Sequence, residues 1–73
     1  MKYLIVIEQT RTGFSAYSPD VPGCVATGGT RPRVESEMKK AIRFHLDGMR
    51  EQGIRLPRPR SWWKVVEVPA ESR

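Results

Sequence analysis

The sequence predicts an α+β fold with element order β-β-β-α-β, an antiparallel meander of three strands with one amphipathic helix packed on a sheet face. Three observations carry this. The run Lys2 to Glu8 is rich in β-branched and aromatic residues, and two further short runs, 14–18 and 24–28, are divided by a turn holding two prolines and a glycine. A helical pattern over about 31–52 follows, with start and stop signals at its ends. A last apolar run, 63–68, completes the set.

In the first strand, about 2–8, Tyr3, Ile5 and Ile7 alternate with Leu4 and Val6, so both faces are apolar. A strand of that kind needs cover on its second face, and with one helix in the chain the cover is another protein chain or the Leu56–Trp62 segment folding back. Gln9 to Gly13 reads as a hairpin connection to the second strand. Between the second and third strands, Pro19 and Pro22 fix their own φ and push Ser18 and Val21 away from helical geometry. Asp20 bonds its own backbone readily in such a turn. The loop is therefore stiff, which suits recognition at low entropic cost and equally suits a plain strand connection.

For the helix, Thr30 is a suitable N-cap, Pro32 falls in the first turn and Gly53 stands where a C-terminal cap is wanted. At about 100° per residue, Val34, Met38, Ala41, Ile42, His45 and Met49 form one stripe, with Lys39, Lys40, Arg43, Asp47 and Arg50 opposite. The stripe predicts packing on the sheet. His45 has no nucleophile or orienting carboxylate on its face, so it reads as a core or interface histidine rather than a general base. Cys24 has neither a second cysteine nor an adjacent basic group, and reads as a small buried hydrophobe.

At 73 residues the chain is one small domain, 1–73, near the lower size at which one core suffices. A lone Cys24 excludes an internal disulfide, and one histidine with one cysteine makes no structural zinc set, so no metal or cofactor is expected. Oligomerisation remains as the staple. The apolar run Tyr3 to Ile7 is too short for a signal core or a membrane span, which predicts a cytoplasmic protein with no membrane partner. The net charge is +5. Setting aside Arg31, Arg33, Arg55, Arg58 and Arg60 leaves 8 basic against 8 acidic residues, so the excess sits in two patches. Arg31 and Arg33 lie at a helix N-terminus, where the macrodipole disfavours cations; an anionic partner is one reason and the small cost of exposed charges at a first turn is the other. Arg55, Arg58 and Arg60, followed by Trp62 and Trp63, could track a phosphate backbone while stacking bases. Pro57 and Pro59 point instead to a semi-rigid connector into a final strand, with Trp62, Trp63 and Val66 at an oligomer interface.

The residues Gly13-Phe14, then Pro19-Asp20-Val21-Pro22-Gly23-Cys24, then Val25-Ala26 with Gly28 and Thr30, resemble the HicB family, the antitoxins paired with small messenger-RNA-cleaving HicA toxins. The likeness continues through Lys40–Leu46, Gly53-Ile54 and Leu56-Pro57-Arg58-Pro59 and so covers nearly the whole chain. Family members often carry an acidic residue before the capping threonine and glutamate at the third helical position, where this chain has Gly29 and Arg33; the capping box is thus broken. The resemblance implies a partial, degenerate ribonuclease H-like domain. It also implies a module that neutralises a HicA-type toxin by covering its active site. Longer members carry a DNA-binding segment after this domain; nothing after Val68 forms one, so operator binding is not carried over. HicA toxins tend to be basic, and a chain of +5 gains little long-range steering toward them.

The partner-binding candidates on this reading are Pro19, Asp20, Val21 and Pro22, with Asp20 best suited to pair with a basic toxin. Catalytic residues are not expected. Two-metal nuclease chemistry needs converging carboxylates, and Glu8 ends a strand, Asp20 sits in a turn, and Glu35 and Glu37 open the helix. A small RNA- or DNA-binding module using the arginines is the alternative function, and a vestigial nuclease the second alternative.

Overall fold

The computed structural model describes residues 1–70, so residues 71–73 of the expected domain lie outside the described residues. Strands β1 (Val6–Gln9), β2 (Phe14–Tyr17) and β3 (Val25–Gly28) precede a single helix, α1 (Arg31–Glu51). The strands form one antiparallel sheet in the order β1-β2-β3, with Val6 opposite Tyr17 and Tyr17 opposite Val25. The α+β meander with its helix is the architecture expected from the sequence.

The first strand is shorter than the alternation of Lys2 to Glu8 suggests. Continuing the register places Ile5 opposite Ser18 and Leu4 opposite Pro19, which has no N–H to give the ladder. The Ser18 hydroxyl substitutes, donating to the Leu4 carbonyl at 2.8 Å. Residues 2–5 therefore run on beside the sheet without extending it.

The helix is capped at both ends as its sequence requires. Thr30 is extended (φ −136°, ψ 163°), and its hydroxyl accepts from the Arg33 amide at 3.2 Å. A single hydroxyl caps the turn without the reciprocal glutamate. At the other end Gly53 takes φ +71°, its amide donates to the Arg50 carbonyl, and the Ile54 amide reaches back to the Met49 carbonyl at 2.9 Å. That is a Schellman closure, in which glycine carries the left-handed residue without a Cβ penalty. Where β3 turns into α1, a Cβ on Gly28 would lie 2.8 Å from the Val34 amide nitrogen, so only glycine lets the strand end pass this close to the first helical turn.

Ala16, Val21, Cys24, Val34 and Met38 make the buried core, with Tyr3, Ile5, Ile7, Phe14, Ala26 and Ile42 packed against it. The helix lies chiefly over β3, less over β2 and least over β1. Its buried side chains, Val34 and Met38, both fall in the N-terminal half. The reason is length: 21 helical residues run about 31 Å, whereas a four-residue strand runs about 13 Å. The second half of α1 overhangs the sheet. His45, at the centre of the stripe by angle, is consequently exposed, which corrects the expectation of a core histidine.

Two further expectations change. Among the described residues, 63–68 pair with no strand, so the fifth element is absent from the sheet. A strand requires a neighbour, and residues 62–70 have none beside them among the described residues. The segment Leu56–Trp62 does not cover the open sheet face, where Tyr17 and Val25 remain 43% and 68% exposed. The overhanging helix and departing tail together stretch the molecule to 57 × 27 × 16 Å with a radius of gyration of 15.2 Å, against about 11 Å for a compact chain of this length.

Candidate functional site

The turn between β2 and β3 is where the molecule gathers its polar contacts. Its backbone closes through the Val21 amide to the Ser18 carbonyl (3.3 Å) and the Cys24 amide to the Val21 carbonyl (3.2 Å). Pro19 and Pro22 face outward, while the Val21 side chain is fully buried and plugs the core. Of the four candidate contact residues in this turn, two are thus surface and two are engaged inside the chain. Cys24 is buried, 3.6 Å from the Ala41 carbonyl, and burial pushes its thiol pKa up. A protonated thiol of this kind is a packing group.

Asp20 holds the tail. One carboxylate oxygen accepts the backbone N–H groups of Arg60 and Ser61, each at 2.9 Å, and the other accepts the Ser61 hydroxyl at 2.8 Å. The Arg60 amide is the main cause of a carboxyl pKa below the ordinary 3.8; the Ser61 donors and the Arg60 charge act in the same direction, against the opposing pull of partial burial. A second clasp lies nearer the helix, where the Tyr3 hydroxyl donates to the Pro57 carbonyl at 2.6 Å. Pro57 and Pro59 stiffen the intervening chain. Residues 54–61 are therefore strapped across the end of the sheet, and the chain is released at Trp62.

Beyond the strap, Trp62 is 91% exposed and Trp63 74% exposed, with Val66 and its neighbours also in solvent. Arg55, Arg58 and Arg60 are exposed as well. Among the described residues the ion pairs are Lys40–Glu37 and Arg50–Asp47, both surface pairs one helical turn apart, so these three arginines keep their charge for solvent or a partner.

Beside β1, where the helix gives least cover, lies a groove of about 880 Å³. Tyr3, Ile5, Ile7, Ile42 and Leu46 make its apolar lining, and Glu35, Lys39, Arg43, Asp47 and Arg50 stand around it. Of the helix residues set opposite the apolar stripe, Lys39, Arg43, Asp47 and Arg50 thus line this groove, while Lys40 lies on the β3 side. Glu8, Asp20, Glu35 and Glu37 are not brought together: among the described residues no three of His, Cys, Asp or Glu are placed to share a metal ion. No helix among them is long and apolar enough to cross a membrane.

The sequence singled out the Pro19–Pro22 turn and the tryptophan segment separately, and the clasp joining them was missed. Its signal was faint: an aspartate in a proline turn and a serine 41 residues later, with nothing local to pair them.

A family model described as the HicB-like antitoxin of bacterial toxin-antitoxin systems matches residues 3–71. An uncharacterised 14.9 kDa protein from the rep-hol intergenic region of Haemophilus phage HP1 is 41% identical over 69 residues, covering 94% of this chain and 52% of the phage protein. The chain thus spans about half the length of that relative. A UPF0150 protein of Thermoplasma acidophilum is 29% identical over 59 residues, covering 80% of this chain and 86% of the archaeal protein. Among solved structures, a chain of the HicA3 and HicB3 toxin-antitoxin complex superposes with a TM-score of 0.69 at 32% identity, over 81% of this chain and 70% of that one.

Proposed function

The chain belongs to the HicB-like antitoxin family, and on that footing we propose that it neutralises a HicA-type messenger-RNA-cleaving toxin by binding over the toxin's active site. The observation that carries this reading is the joint match in sequence and fold to a chain of a toxin-antitoxin complex. The chain's own chemistry fits a blocking role: the one carboxylate with a strongly defined environment, Asp20, is occupied by the strap, which leaves it a structural anchor rather than a metal ligand. On this reading the chain performs no catalysis, acts in the cytoplasm and needs no cofactor. It is a degenerate ribonuclease H-like domain and self-associates as a homodimer or larger assembly.

The contact surface on this proposal is the outer side of the 18–24 turn, with Pro19 and Pro22 at its surface and Asp20 and Val21 fixing its shape. Co-expression with a HicA-type toxin tests the reading. The expected outcome is rescued growth and a co-purified complex, with rescue weakened by Asp20→Ala because the turn and strap lose their mutual support. Unrelieved growth arrest, with a folded chain that does not co-purify with the toxin, would overturn it.

A second reading draws on the free arginines. Exposed Arg55, Arg58 and Arg60 before two exposed tryptophans suit single-stranded RNA. Its mark would be an RNA affinity falling steeply with salt.

A further inference from the structure

We infer that the released arm, Trp62–Val68, is an exchanged strand: it lies along the β1 edge of a second copy of this chain and its side chains fill that copy's groove. The inference refines the self-association proposed above and does not rest on the toxin.

Three observations meet here. The arm is a strand without a sheet. Trp62, Trp63, Val65, Val66 and Val68 are between 67% and 91% exposed, and the backbone of 62–68 has no ladder partner. Five large apolar residues in seven, three of them β-branched, favour a sheet and disfavour water. The β1 edge, in turn, is a sheet without its next strand. Strand β1 has β2 as its one neighbour, yet its first two residues and the run that leads into it, Tyr3–Ile7, carry apolar residues on both faces, the pattern of a central strand. The arm shows the same two-faced pattern, with Trp63 and Val65 on one side and Trp62, Val66 and Val68 on the other. Each supplies what the other lacks.

The second copy is required by the strap. Asp20 fixes Arg60 and Ser61 at the β2–β3 turn, and Pro57 and Pro59 stiffen the approach, so the arm starts from a pinned point and does not pair with its own β1. The other edge of the sheet, β3, fits less well: the surface beside it mixes Val25, Ala26, Ala41 and Phe44 with Glu37, Lys40 and Thr27, it is a smaller hollow than the β1 groove, and α1 already covers that strand best. Length agrees as well. Seven arm residues reach about 23 Å, the span of Lys2 to Glu8. The rim is of mixed charge, with Lys39 and Arg43 there to meet Glu67 and Glu35 there to meet Lys64, while Arg50 is paired with Asp47. Exchange in a two-fold dimer happens twice, and aromatic side chains bury about 150–250 Å² each. Four tryptophans with the surface they cover therefore reach the roughly 1,200–2,000 Å² of a stable interface.

The test uses the full chain and a Val65→Pro variant. Because residue 65 is exposed and unpaired in the protomer, the substitution leaves the fold intact while removing a ladder donor. Light scattering should give a dimer of twice the 8.4 kDa chain mass, and Val65→Pro should raise the dissociation constant about a hundredfold. In amide exchange, peptides covering 2–9 and 62–68 should lose protection in the variant, with 25–28 unchanged. A paired Trp62→Ser, Trp63→Ser variant should dissociate likewise. A stable monomer sinks both self-association and exchange. An equally tight Val65→Pro dimer, or a response at β3 in place of β1, overturns exchange alone. Protection of the arm only when an RNA oligomer is added would also overturn it, in favour of the arginine reading.

Discussion

The two halves of α1 are written in the same pattern and live in different surroundings. In the first half, Val34 and Met38 are fully buried; in the second, Ile42 and Met49 on the same stripe are half covered, and His45 and Phe44 are exposed. Periodicity reports which side of a helix is apolar. It does not report how far the partner surface extends. The sheet stops after four-residue strands, and the apolar surface that the helix carries past it, together with the groove beside β1 and the tryptophan arm, stays uncovered within the chain.

The largest expected effect breaks the buried half. Met38→Ala opens a cavity in the core and should cost about 2–5 kcal/mol. A chain of 73 residues has roughly 4–11 kcal/mol in all, so the variant should show a greatly lowered melting temperature by circular dichroism. Phe44→Ala, one and a half turns further along and 83% exposed, should lie within about 0.5 kcal/mol of the parent protomer. Similar losses for the two would erase the distinction between the halves.

A smaller effect sharpens the boundary at the strap. Asp20 has a depressed pKa, so its contribution to docking residues 60–61 is complete above the ordinary 3.8 and is lost as pH falls through the lower, folded-state value. Amide exchange of Arg60 and Ser61 should accelerate in that acid range relative to the core amides, and Asp20→Asn should accelerate it at neutral pH. Exchange at 60–61 that tracks the core at every pH would mean that other contacts hold the strap.

Much of this was legible in the sequence. The three strands, the Thr30 and Gly53 caps and the buried Cys24 follow from local chemistry, because each depends on residues within a few positions. What did not follow was long-range. The Asp20 clasp joins residues 41 apart, and His45 departs from its stripe because the sheet is short, a fact no helical wheel contains. The arm at 63–68 has the alternation of a strand and lacks a neighbour in its own chain. Its sequence carries the propensity and not the partner. At the turn, the sequence marked Pro19–Pro22 as one unit, while burial divides it, with Val21 serving the core and Pro19 and Pro22 the surface.

The most direct test of the central claim is a titration of this chain into a purified HicA-type toxin while RNA cleavage is followed. The account predicts that cleavage falls in proportion to added chain and stops at a fixed molar ratio, with a complex of matching stoichiometry in solution. Undiminished cleavage in the presence of excess folded chain would contradict it.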